Sequence, residues 1–210
     1  MAAQNVQAVV FDLGGVLIDW NPRYLYRQLF SDEAAMETFL ATICTDAWHR
    51  RHDLGVDVTA SCRQLADRHP LHRDLIMAWA ERGEEMAAGQ FDGTVEILRA
   101  LSDQGVSCYA LSNMEPDAFA IRRDRFAFMN WFDGHVISGL EGVAKPDREI
   151  FELLLSRYQL DPSRTVFIDD VPRNVEAARE LGLLAVRYTS ADGLRSALAG
   201  HGLGAFDEHR

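Results

Sequence analysis

From Val6 to Phe11 the chain is apolar except at Gln7. The run stops at Asp12, and Gly14-Gly15 follow. Such a run reads as a strand buried on both faces, as in a parallel sheet, and paired glycines allow backbone angles that other residues avoid. Comparable runs recur at Val106 to Leu111, Phe132 to Ser138, Thr165 to Ile168 and Leu183 to Tyr188. Between them the apolar period becomes helical. Val95, Leu98 and Leu101 share one face ahead of Gly105, Ile150, Phe151 and Leu154 share another, and Val175, Ala178 and Leu181 a third ahead of Gly182. Strand and helix alternate, which predicts an α/β fold with a doubly wound, Rossmann-like parallel sheet.

One block breaks the alternation. Asn21 reads as a helix cap with Pro22 at the first helical position. Helical spacing then groups Tyr24, Leu25, Leu29 and Phe30, next Met36, Phe39, Leu40 and Ile43, and later Leu75, Ile76 and Trp79. No convincing strand interrupts this stretch. The predicted organisation is therefore an α/β core, residues 1–19 and 90–210, with a small helical cap inserted at 20–89. No internal repeat, low-complexity tract or flexible linker is apparent.

Composition narrows the function classes. Of 210 residues, 48% are hydrophobic and 25% charged, an ordinary globular balance. A formal charge of -11 argues against a nucleic-acid partner, while an anionic small substrate stays open because a bound cation reverses the local field. The start, MAAQNVQ, lacks the basic and apolar segments of a signal peptide, and no apolar run approaches the ~20 residues of a membrane helix. The expected location is the cytoplasm, away from membranes. Cys44, Cys62 and Cys108 are odd in number and lack CxxC spacing, so they read as reduced packing residues.

Polar residues gather where the predicted strands end, the edge at which open α/β sheets place their chemistry. Asp12 ends the first strand and is a candidate nucleophile or metal ligand, or else an ordinary turn residue. Ser112-Asn113 end a second, where a hydroxyl holds a phosphate oxygen or caps a helix. Lys145-Pro146 open a helix, whose N-terminus favours anions. Asp169-Asp170 end a further strand, and carboxylates crowded beside Asp12 repel one another unless a cation such as Mg²⁺ is present. In the cap, Trp48-His49-Arg50-Arg51-His52-Asp53 is either a substrate-contacting cluster, with Arg50 and Arg51 to clamp an anion and Trp48 to stack a ring, or a solvated helix end. The pairs His49/His52 and His69/His72 have helical spacing but no acidic or Cys partner at a recognisable distance for a metal.

The stretches FDLGGVL at Asp12, LSN at Ser112, Lys145-Pro146 and IDDVPRN at Asp169 and Asp170, in that order, resemble the four motifs of the haloacid dehalogenase superfamily of hydrolases. The resemblance covers nearly the whole chain. It implies that Asp12 is a nucleophile that takes a phosphoryl group, that Ser112 binds a phosphate oxygen, and that Lys145 neutralises developing charge. It further implies that Asp12, Asp170 and the Gly14 carbonyl hold Mg²⁺, with Asp169 and Asn174 acting through water. The substrate class implied is a small phosphorylated metabolite, such as a sugar phosphate; the oligomeric state stays open.

One departure stands out. Phosphatases of the superfamily usually carry a second Asp two positions after the nucleophile as acid and base, and this chain has Gly14 there. General acid-base catalysis contributes ~10²–10⁴-fold, so its loss weakens an enzyme without abolishing it. His49 and Asp19 are the stand-ins that the sequence suggests. Two alternatives remain at this level: a non-catalytic phosphate-binding or regulatory protein, and a 2-haloacid dehalogenase. Dehalogenases of the superfamily generally carry neutral residues where Asp169-Asp170 stand, which counts against the second.

Overall fold

The computed structural model describes residues 6–204; most of the opening MAAQNVQ, from which the lack of a leader is read, lies outside them. In chain order the strands are β1 (Ala8–Phe11), β2 (Ile18–Trp20), β3 (Ala87–Gln90), β4 (Ser107–Ser112), β5 (Gly134–Ile137), β6 (Thr165–Asp169) and β7 (Leu184–Arg187). Five form one sheet in the order β5-β4-β1-β6-β7, with every pairing parallel. Burial explains the continuous apolar runs. Val9 and Phe11 pack on one side of the sheet with Ala110 and Ile168, while Ala8 and Val10 pack on the other with Leu111 and Phe167. Among the described residues, no helix is long and apolar enough to cross a membrane.

The order of the strands creates the crevice. The chain moves outward from β1 through β4 to β5, then returns to the other side of β1 for β6 and β7. Loops leaving β1 and β6 therefore diverge, and the space between them opens at the carboxyl ends of the strands.

Between β2 and β3 lie the helices α1 (Arg23–Tyr26), α2 (Glu33–Thr42), α3 (Asp46–Asp53), α4 (Val58–Arg68) and α5 (Arg73–Glu81). Each of the middle three begins on a side-chain cap: Asp32 accepts from Ala34 N and Ala35 N, Thr45 from Trp48 N, and Asp57 from Ala60 N. Their apolar faces meet in a separate core that includes Tyr26, Met36, Phe39, Ile76 and Trp79. Burying one such side chain contributes roughly 1.5–3 kcal/mol, so this layer holds its shape through its own packing.

The structure corrects the sequence reading at both ends of this block. Ile18–Trp20 and Ala87–Gln90 form an antiparallel pair with a register shift between Asp19 and Trp20. The expected run of helix as far as Gly89 therefore ends in a strand. Both strands are short, and β3 contains Gly89 and Gln90, which have little intrinsic preference for a sheet; only the pairing of distant segments defines them.

Later helices are α6 (Asp92–Asp103), α7 (Pro116–Arg125), α8 (Ser138–Glu141), α9 (Arg148–Tyr158), α10 (Pro172–Glu180) and α11 (Ala191–Gly200). The stretch GLEGVA, expected as a loop, contains most of the short α8, which Gly142 ends in a left-handed conformation. All three cysteines are free and buried.

Candidate active site

Asp12 follows β1 directly and is 6% exposed. Lys145 Nζ lies 2.9 Å from Asp12 Oδ1 and 2.7 Å from Asp169 Oδ2, with the lysine 1% exposed. Burial alone would lower the lysine's proton affinity. The two carboxylates, Asp12 first, outweigh it, hold Lys145 above its ordinary range and keep it charged. Burial pushes the Asp12 carboxyl up to about 7, against Lys145 and with help from Asp169 and Asp170. Asp170 is also raised, by burial first and Asp169 second.

Carboxylate oxygens of Asp12, Asp169 and Asp170 all lie within 4.8 Å of one another. Three hard oxygen donors beside open space make a donor set that fits Mg²⁺. The three are not equivalent. Asp169 accepts from Lys145, from Val171 N at 2.8 Å and from Asn174 Nδ2 at 3.1 and 3.0 Å, so its carboxylate is already well engaged. Asp12 and Asp170 are freer to turn toward a cation.

Asn113 is tied to the lysine's backbone on both sides. Its Nδ2 donates to the Lys145 carbonyl at 2.9 Å, and its Oδ1 accepts from Lys145 N at 2.8 Å. This double contact clamps the loop after β4 to the loop that carries Lys145. Ser112, 1% exposed at the end of β4, lines a cavity above this edge.

That cavity, of about 740 Å³, lies between the sheet edge and the helical layer. Asp12, Gly14, Ser112, Lys145 and Asp170 line its floor, and Trp20, His49, Arg50, Asp53, Trp79 and Arg122 are among its other walls. The sequence cluster in α3 thus splits. Arg50 reaches the cavity and pairs with Asp147 at 3.5 Å. Trp48 does not: it is 8% exposed and packs edge-on against His52 and Trp79 inside the helical core. Arg51 is exposed and absent from the cavity wall. The reason is helical geometry, since successive residues point about 100° apart and one face of α3 must bury. Asp53, Glu115 and Arg122 are cavity residues that periodicity did not single out, and only Asp53 stood in a noticed cluster.

A family model of haloacid dehalogenase-like hydrolases matches residues 6–182. The chain belongs to the haloacid dehalogenase-like hydrolases. A sesquiterpene phosphatase from Aspergillus oryzae is 28% identical over 88% of this chain and 91% of its own length. A phosphorylated-carbohydrate phosphatase from Thermotoga maritima is 25% identical over 85% of this chain and 82% of its own. An enzyme of the family from Bacteroides thetaiotaomicron, crystallised with magnesium and inorganic phosphate, superposes with a TM-score of 0.67 at 21% identity, covering 88% of this chain and 95% of that one. The fold is therefore shared with the Bacteroides enzyme.

Proposed function

We propose that this hydrolase is an Mg²⁺-dependent phosphatase that acts on a small phosphate ester and carries the phosphoryl group on Asp12. The observation that carries the reading is the meeting of three carboxylates, Lys145 and Ser112 at one sheet edge beneath a cavity. The magnesium and phosphate held by the Bacteroides enzyme, and the phosphatase activity named for two relatives, support it.

Asp12 is the nucleophile because its carboxylate lies at the mouth of the crevice, and Lys145 draws negative charge toward it. Ser112 and Lys145 orient the phosphoryl oxygens, so that positioning and electrostatics supply most of the rate. Asp12, Asp170 and the Gly14 carbonyl would hold Mg²⁺, with Asp169 acting through water. When bound, Mg²⁺ neutralises phosphate charge and lets the anion approach Asp12. Asn113 positions Lys145 and leaves the phosphate to its neighbours. Residues 20–89 act as a cap, and Arg50 contacts the part of the substrate beyond the phosphate.

A panel of phosphate esters, assayed with Mg²⁺ and alongside 2-chloropropionate, tests the reading. Turnover should need the cation and fall at least ~10³-fold in Asp12→Asn and Asp170→Asn. Full turnover in excess chelator, or chloride release from the haloacid, would overturn it.

A further inference from the structure

Gly14 leaves the nucleophile without a carboxylic acid two residues away, yet the reaction must still protonate a leaving oxygen and activate water. The helical layer brings one to the cavity. Asp53, the last residue of α3, lines the same cavity as Asp12, Ser112 and Lys145. Its side chain is 13% exposed, approaches His49 Nε2 to 3.8 Å, and makes no hydrogen bond among the described residues. Its backbone is anchored: the Asp53 carbonyl, left over at the helix end, accepts from Ser138 Oγ, which in turn accepts from Met114 N at 3.0 Å. Two residues on, Gly55 packs so closely that a Cβ there would lie 2.8 Å from the Gly139 carbonyl. The end of α3 is thus fastened to the sheet-edge loops at a residue that lines the cavity holding Asp12 and Lys145.

We infer that Asp53 is the general acid and base of the reaction, acting from the cap in place of a residue at position 14. The inference rests on the phosphatase reading above. In the first step the Asp12–phosphorus bond forms as the ester P–O bond breaks, and the departing alkoxide takes the Asp53 proton. In the second, water attacks phosphorus, gives one proton to the Asp53 carboxylate, and frees Asp12 and hydrogen phosphate. Asp53 ends as it began.

Its surroundings suit both halves. Burial first, then Glu115 at the start of α7, push Asp53 up to about 7, while Lys145, Arg50 and Arg122 pull the other way. Acid-base catalysis near neutrality works best with a group poised there. His49, its neighbour on α3, is pulled down to about 3 by burial, so at neutral pH it is the uncharged imidazole and a poor acid. Asp19 accepts the Tyr24 hydroxyl at 2.8 and 2.9 Å and is absent from the cavity wall. Neither of the sequence's stand-ins fits as well.

The test compares Asp53→Asn with wild type on an alkyl ester, glycerol phosphate, and an aryl ester, p-nitrophenyl phosphate, whose leaving group needs no proton. With Mg²⁺, the variant should lose ~10²–10³-fold in kcat/KM on the alkyl ester and lose the fall in that constant above pH about 7, while the rise at lower pH that Asp12 governs remains. On the aryl ester it should still release one burst of nitrophenol, then stall as phosphorylated protein accumulates, visible by intact mass. Gly14→Asp placed in the Asp53→Asn background should restore alkyl turnover. The substitution leaves the backbone latch intact, and thermal melting checks the fold. Wild-type alkyl kinetics in Asp53→Asn, or equal first-turnover losses on both esters, would overturn the assignment. A wild-type protein that releases neither alcohol nor nitrophenol would overturn the phosphatase reading itself, and this inference with it. In wild type, an alkyl-ester kcat/KM that does not fall above pH about 7 would overturn the assignment without any variant.

Discussion

Gly14 and Gly15 are neighbours of one type with opposite tolerance. Gly15 has φ +75°, and a Cβ there would lie 2.6 Å from Asp170 Oδ2, whereas a Cβ at Gly14 meets nothing within 4 Å and the backbone there is not left-handed. Gly15→Ala should therefore cost about 1 kcal/mol or more in thermal unfolding and weaken Mg²⁺ binding by displacing Asp170. Gly14→Asp should melt like wild type. A Gly15→Ala protein with unchanged metal affinity by calorimetry would show that Asp170 is not needed there. Adjacent arginines divide in the same way. Arg50→Ala should change the ranking of substrates in an ester panel, and Arg51→Ala, at an exposed site away from the cavity, should not. These distinctions were invisible in the sequence, because the order of residues does not report φ or which side of a helix meets a cavity until the neighbouring elements are placed.

At the scale of one element, α3 carries a buried pair of opposite chemical consequence. His52 is 0% exposed, neither ring nitrogen has a hydrogen-bond partner, and burial pulls it from 6.5 down to about 4. A depressed histidine means that the folded state binds fewer protons than the unfolded chain. Its contribution is present above pH 6.5 and disappears as the pH falls toward 4, by at most about 3 kcal/mol. Asp53, raised by burial, works in the other direction over pH 4 to 7, so His52 is best read as a difference between proteins. His52→Phe should flatten the fall of the melting temperature between pH 6.5 and 4 relative to wild type; parallel curves would show that His52 does not titrate on unfolding. Strands and long helices were legible because burial on one or two faces writes a period into the chain. β2 and β3 were not, because each is held by a partner nearly seventy residues away. The polar residues at three strand ends, with Lys145 in the loop before α9, were legible as a set, while Glu115 and Arg122 gain meaning only from the loop and helix that bring them to the cavity.

Across the whole molecule, the helical layer has a packed core of its own and joins the sheet side at several places: Trp20 packs against both cores, Arg50 pairs with Asp147, Arg122 with Glu84, and the Asp53 carbonyl with Ser138. A single hydrogen bond contributes about 1 kcal/mol net, much less than either core, so the contact at Ser138 helps to set where the end of α3 sits and not whether the layer folds. Gly55→Ala, forced against the Gly139 carbonyl, should therefore lower kcat/KM on phosphate esters about tenfold, a loss of ~1.4 kcal/mol, with far-ultraviolet dichroism unchanged. Unaltered kinetics would mean that the seating of α3 on the Gly139 loop is not coupled to turnover. The fastening at the end of α3 joins main chain to Ser138 and takes nothing from the side chain of residue 53. Mechanics and chemistry are thereby uncoupled at this position: substitutions there can explore new reactivities while the same latch keeps presenting them, which makes residue 53 a place where a scaffold can diversify without first losing the seat of its helix.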